Sequence, residues 1–115
     1  MSATNDIPTV DVAGAQQQVG SGAILLDVRE PQEWHAGHAA EAMWIPMGEI
    51  QARHTELSTD TPIVVMCRSG NRSGTVTQAL VGAGYDASNI AGGMQAWAAA
   101  GFAVVTDDGG TGTVA

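Results

Sequence analysis

The sequence contains no lysine, and its basic residues are the four arginines Arg29, Arg53, Arg68 and Arg72, set against twelve carboxylates for a formal charge of −8. Such a chain offers no broad basic patch, which argues against nucleic acid or an anionic membrane surface as partner. Cys67 is the single cysteine. That count excludes an internal disulfide, a two-cysteine redox cycle within the chain and a cysteine-rich zinc site. No apolar run approaches the length of a membrane span, and Met1-Ser2-Ala3-Thr4-Asn5-Asp6 has no basic segment followed by an apolar one. A cytoplasmic protein without a membrane partner is therefore expected. Internal repeats and linker-like segments are also absent, so the 115 residues are read as one domain with one core.

What is present alternates between short apolar runs and helical patterns. Residues 1–6 are polar and expected to be flexible. Ile7–Val10 reads as a first strand, and Asp11 as the cap of a helix through Val12, Ala15 and Val19 that stops at Gly20-Ser21-Gly22. Ala23–Val28 reads as a buried strand ending in the charges Asp27, Arg29 and Glu30, and Pro31 suits the first turn of a short helix. Met43–Ile45 is a third strand and Met47–His54 a candidate helix. Ile63–Met66, led by Pro62, is apolar and β-branched, and Val76, Ala79, Leu80 and Ala83 follow it at helical spacing. Asp86–Ile90 is a candidate last strand or extended segment, Gly92-Gly93 opens a helix through Met94 and Trp97, and Phe102–Val105 is extended. The Gly-, Thr- and Asp-rich residues 106–115 are expected to be a disordered tail, leaving 7–105 as the domain. The pattern predicts a three-layer α/β/α domain with a mainly parallel central sheet of about five strands. In such sheets the site lies beyond the carboxyl ends of the strands, where Asp27 and Arg29 would meet the end of the Ile63–Met66 strand.

At that end stands Cys67-Arg68-Ser69-Gly70-Asn71-Arg72-Ser73, a polar loop between a buried strand and a helix. Backbone N–H groups of such a loop, the free N–H groups of the helix and its dipole all favour an anion. A thiol held there loses its proton readily, at pKa values of roughly 3.5–7.5 in comparable settings. Cys67 is the candidate nucleophile. Arg68 and Arg72, half of the basic residues, are candidate anion binders, and Gly70 permits backbone geometry that a side chain would obstruct. Ser69, Asn71 and Ser73 are candidate donors or caps. Asp27 and Arg29 read as a supporting ion pair rather than as catalytic groups. His35 and His38 are two histidines without a set of partner ligands, so no metal site is expected. Trp34, Trp44 and Trp97 read as packing.

Taken together, these residues resemble the rhodanese family, in particular its small single-domain sulfurtransferases. Asp27-Val28-Arg29-Glu30 with Glu33-Trp34, Gly37-His38, Ala42 and Ile45-Pro46 is similar to the first family signature, the Cys67–Ser73 loop to its active-site loop, and Gly92-Gly93-Met94-Gln95-Ala96-Trp97 to its C-terminal signature. The likeness runs from about residue 7 to residue 105. Ala39, Ala40 and Glu41 depart from the pattern, which usually has Ile, a small residue and Gly after the Gly-His pair. The resemblance implies transfer of sulfane sulfur from thiosulfate or a persulfide donor to a thiophilic acceptor (cyanide, a thiol or a sulfur-carrier protein) through a persulfide on Cys67. It implies no separate cofactor, a small anionic donor as partner and a monomer.

Other readings compete. Rhodanese-like phosphatases and arsenate reductases also place a cysteine in a loop ending in arginine, but five residues separate the pair there. Here four residues lie between Cys67 and Arg72, a smaller ring that suits one sulfur atom better than a tetrahedral oxyanion. A regulatory binding module would usually lack the cysteine. A persulfide carrier or sensor shares every residue quoted, and the sequence does not separate it from a turnover enzyme.

Overall fold

The computed structural model describes residues 7–115, and the flexible terminus expected at residues 1–6 lies outside the described residues. Five strands form one sheet: β1 Thr9–Val10, β2 Ile24–Asp27, β3 Met43–Trp44, β4 Ile63–Met66 and β5 Ala87–Ile90. Their order is β1-β5-β4-β2-β3, with every neighbouring pair parallel. β4 is central, hydrogen-bonded on both sides, and its residues are all buried, which is why it consists of Ile, Val, Val and Met.

The period of two along a strand divides the core. Leu26, Val28, Ile63, Val65 and Cys67 belong to a cluster on one face, and Leu25, Val64 and Met66 to a cluster on the other. The first face is covered by α3 (Ile50–Arg53) and α4 (Asn71–Gly82), whose Ile50, Val76 and Leu80 join its cluster. The second is covered by α1 (Val12–Gly20) and α5 (Gly93–Ala99), which supply Ala15, Met94 and Trp97. Burying Val76 and Leu80 contributes about 1.5–3 kcal/mol each to holding α4 on the sheet. α1 begins as expected, with Asp11 Oδ1 accepting the Gly14 N–H at 2.7 Å. α2 (Pro31–Ala36) lies after β2, with Pro31 in its first turn. The expected helix over Met47–His54 is broken into a 3-10 turn (Met47–Glu49), α3 and a second 3-10 turn (His54–Glu56). Of these residues only Ile50 is buried, and Gly48 is a weak helix former, so little holds a continuous helix there.

Residues 106–115 correct the expectation of a disordered tail. Val105 bridges both His38 and Thr111 in antiparallel pairs, the Thr113 N–H donates to the Ala36 carbonyl at 2.9 Å, and Val114 packs on the Trp97 cluster. The turn closes on itself, since Asp108 accepts from both the Thr106 hydroxyl and the Gly110 N–H. Composition registers the shortage of apolar residues but not the backbone partners already waiting at 36–38 and 104–105.

Candidate active site

The loop after β4 is shaped by two glycines and held by a helix end. β2 and β5 flank β4, with Asp27 opposite Met66 and Asn89 opposite Val65. The chain then turns through Gly70, whose φ of +113° lies where a side chain is disfavoured, and enters α4. On the inner side, the Met94 N–H donates to the Cys67 carbonyl at 2.8 Å and the Gln95 N–H to the Arg68 carbonyl at 3.0 Å. These are N–H groups of the first turn of α5, which have no partner within their own helix. Gly93, at φ +53°, lies so near that a Cβ there would sit 2.9 Å from the carbonyl carbon of Arg68. The Gly92-Gly93-Met94 motif is thus the seat of the cysteine loop.

The Cys67 residue is 1% exposed. Its Sγ accepts the Gly70 N–H at 3.1 Å and lies 3.3 Å from the Ser73 hydroxyl. Burial pushes the thiol up, but the Ser73 hydroxyl and the N–H groups of Ser73, Gly70 and Ser69 outweigh it, and the thiol ends below its ordinary value. The activation expected from loop and helix is therefore local, delivered by hydrogen-bond donors.

The other expected residues divide by what they touch. Asp27 and Arg29 are wholly buried and form a forked pair, with Arg29 Nη2 2.9 Å from Asp27 Oδ2 and Nε 3.0 Å from Oδ1. Arg29 also donates to the carbonyls of Gly37 and Glu33. The pair ties β2 to α2 and has a supporting, structural role. Arg72 meets Glu33 in a second fork, both bonds 2.7 Å. The Arg72 hydrogen bond holds the Glu33 carboxyl below the usual range, while Glu33 raises Arg72. Arg72 was expected to bind an anionic donor, yet its charge is already matched. Arg68 is exposed, and its Nε donates to a backbone oxygen of Ala115 at 2.7 Å, with no Asp or Glu side chain paired to it among the described residues. Ser69 and Asn71 have exposed side chains that make no hydrogen bond to the sulfur among the described residues. His38 is buried against Trp34, their ring centroids 3.6 Å apart, and its Nδ1 lies 2.9 Å from the Trp34 carbonyl oxygen. The atypical Ala39 is buried and its carbonyl closes a turn with Ala42, away from the sulfur's hydrogen bonds.

Two site residues escaped the sequence reading. Glu33 was visible only as part of a signature. Asn89, on β5, bonds to Ser73 at 2.6 Å and to the Gly70 carbonyl at 3.2 Å. Its one signal was a polar amide in a strand that is otherwise mostly buried.

A parallel three-layer domain that holds its one cysteine among N–H donors at the end of the central strand has the sulfurtransferase-type fold. The chain belongs to the rhodanese-like domain family, whose model matches residues 11–100. A rhodanese-related protein of Thermoplasma volcanium is 30% identical, with 87% of this chain and 99% of that one covered at a TM-score of 0.81. The reduced CoADR-RHD protein of Bacillus anthracis is 31% identical over 79% of this chain, which spans 16% of that longer one, at a TM-score of 0.75. The thiosulfate sulfurtransferase of Pseudomonas aeruginosa shares the fold, with 24% identity, 95% of this chain, 22% of that one and a TM-score of 0.79.

Proposed function

We infer that this protein is a sulfurtransferase that moves sulfane sulfur through a persulfide on Cys67. The carrying observation is the sulfur itself, buried and facing the Gly70 N–H at 3.1 Å and the Ser73 hydroxyl at 3.3 Å. In the first half-reaction the Cys67 thiolate attacks the outer sulfur of thiosulfate. A new S–S bond forms, the old one breaks, and its electron pair leaves on sulfite. The negative charge of the thiolate moves to the outer sulfur of the Cys67 persulfide. In the second half, a thiophilic acceptor such as cyanide or a thiolate attacks that outer sulfur, and the electron pair returns to Cys67. The scheme needs no metal or cofactor and gives ping-pong kinetics. The N–H groups of the loop stabilise the charge in both forms as an oxyanion hole does. Arg68, the arginine with no Asp or Glu partner among the described residues, draws in an anionic donor. A low-molecular-weight persulfide donor and a thiol or sulfur-carrier acceptor fit the same chemistry, in a cytoplasmic monomer.

The test is intact-mass measurement after thiosulfate treatment. The expected result is a gain of one sulfur atom, reversed by cyanide with release of thiocyanate and absent in Cys67→Ser. Hydrolysis of p-nitrophenyl phosphate, or arsenate turnover with a thiol reductant, each dependent on Cys67 and unaccompanied by sulfur gain, would overturn the reading.

A further inference from the structure

Below the loop lies Asn89, a buried amide that the mechanism above leaves unused, bonded to two groups that the mechanism does use, Ser73 and Gly70. Ser73 is fully buried and Asn89 is 9% exposed. The Ser73 hydroxyl oxygen is 2.6 Å from Asn89 Oδ1 and 3.3 Å from Cys67 Sγ. A hydroxyl carries one proton, so it donates to one of these acceptors at a time. The amide of Asn89 is not free to turn. Its Nδ2 donates to the Gly70 carbonyl at 3.2 Å, an acceptor only, so Oδ1 must face Ser73. Gly70 in turn donates its N–H to the sulfur. The four groups close a ring: sulfur, Ser73, Asn89, Gly70.

The direction of the Ser73 proton then depends on the charge of the sulfur. A thiolate is the stronger acceptor and draws the proton from Asn89. A thiol instead donates S–H to the Ser73 oxygen, which donates onward to Asn89, and every buried donor has a partner. The inner sulfur of a persulfide is likewise uncharged, since the charge lies on the outer atom.

We propose that Asn89 is a positioning residue that takes up the Ser73 hydroxyl whenever the Cys67 sulfur is uncharged, and so favours the thiol and the persulfide over the free thiolate. It acts through Ser73 and touches no reacting atom. Removing it leaves the Ser73 proton with the sulfur as its one acceptor, which stabilises the thiolate and strands the buried hydroxyl once sulfur is loaded. Among the charged groups of the described residues, Arg72 of α4 interacts electrostatically with Cys67, and it is itself paired with Glu33 and near Glu30. The Asp27–Arg29 pair is internally neutralised, and Asp27 alternates with Val28 to the opposite face of β2.

The persulfide arm of this proposal rests on the sulfurtransferase reading, and the thiol arm does not. The experiment compares wild type, Asn89→Ala, Ser73→Ala and the double variant in two measurements. Thiolate absorbance against pH gives the thiol pKa, and mass spectrometry at fixed thiosulfate-to-sulfite ratios gives the persulfide-to-thiolate equilibrium. Asn89→Ala is expected to lower the thiol pKa by about one unit and to cut persulfide occupancy about tenfold, the scale of one hydrogen bond to a charged group. In the Ser73→Ala background the Asn89 substitution should change neither. An unchanged or raised pKa in Asn89→Ala overturns the proposal, as does an effect of equal size without Ser73, which would mean that Asn89 merely holds the Gly70 carbonyl. Asn89→Leu, closer in size, serves if the alanine variant does not fold. If wild type gains no sulfur, the sulfurtransferase reading fails while the thiol titrations still decide the role of Asn89.

Discussion

Arg68 and Arg72 stand in one loop and meet different surroundings. Arg72 is forked onto Glu33 and interacts electrostatically with Cys67, whereas Arg68 is exposed, donates to a backbone oxygen of Ala115 and has no Asp or Glu partner among the described residues. Their substitutions should therefore separate thiol activation from donor binding. The thiolate is the reactive form, so iodoacetamide alkylation rises as pH rises through the thiol pKa, and a lowered pKa moves that rise to lower pH. The midpoint for wild type is expected below that of an ordinary cysteine thiol. Arg72→Ala should move it upward, because a cation is lost and the Glu33 carboxylate is left unmatched. Arg68→Ala should leave the midpoint in place but lower kcat/KM for thiosulfate about ten- to a hundredfold, the loss of one charge-assisted contact. Equal midpoints in the two variants would refute this division.

At the scale of elements, the site is a strand end seated on one helix and leading into another. α5 contributes through its first turn, and Gly93 is where its backbone meets the Cys67 loop. Gly93→Ala sets a methyl group against the Cys67 carbonyl and forces an L-residue to φ +53°. The positive φ alone costs about 1–2 kcal/mol, and the overlap with backbone adds to it. Gly82, near the end of α4, has open space where its Cβ would be, so Gly82→Ala should stabilise by about 0.4–1 kcal/mol. Urea unfolding of the pair should show opposite shifts in midpoint, with sulfur transfer impaired in Gly93→Ala alone. A neutral Gly93→Ala would mean that α5 does not seat the loop.

Across the whole molecule, residues 106–115 close over ground that the α/β core leaves open. They pair with the backbone at 36–38 and 104–105, place Val114 on the Trp97 cluster and bring a backbone oxygen of Ala115 to Arg68. Removing residues 106–115 should cost about 1–2 kcal/mol of apolar burial and pairing, or a fall in Tm of about 4–15 °C for a domain of this size. The alkylation rate of Cys67 should be nearly unchanged, because no group of the tail bonds to the sulfur. An unchanged Tm would show that the tail adds nothing to the folded domain. The acidic surface has no such local test, and it sets solubility rather than fold.

Much of the molecule was determined within short windows of sequence. Apolar runs of strand length, the Asp11 cap, Pro31 at a helix start and glycines at helix ends placed most elements within a residue or two, because each depends on near neighbours. The same locality made Cys67 legible as a strand-end thiol in a loop of donors. What lay beyond reach were contacts between residues distant in the chain. Glu33 meets Arg72 and Asn89 meets Ser73 because α2 follows β2, α4 follows β4, and β5 lies beside β4 in parallel register. No periodicity specifies a pairing of that kind, since it follows from which strands become neighbours. The tail is illegible for the same reason: its partners are backbone groups supplied by the rest of the fold. Sequence alone thus determined Cys67 as the candidate nucleophile, and only the tertiary structure decided which arginine is matched, which has no Asp or Glu partner among the described residues, and which amide stands behind the sulfur.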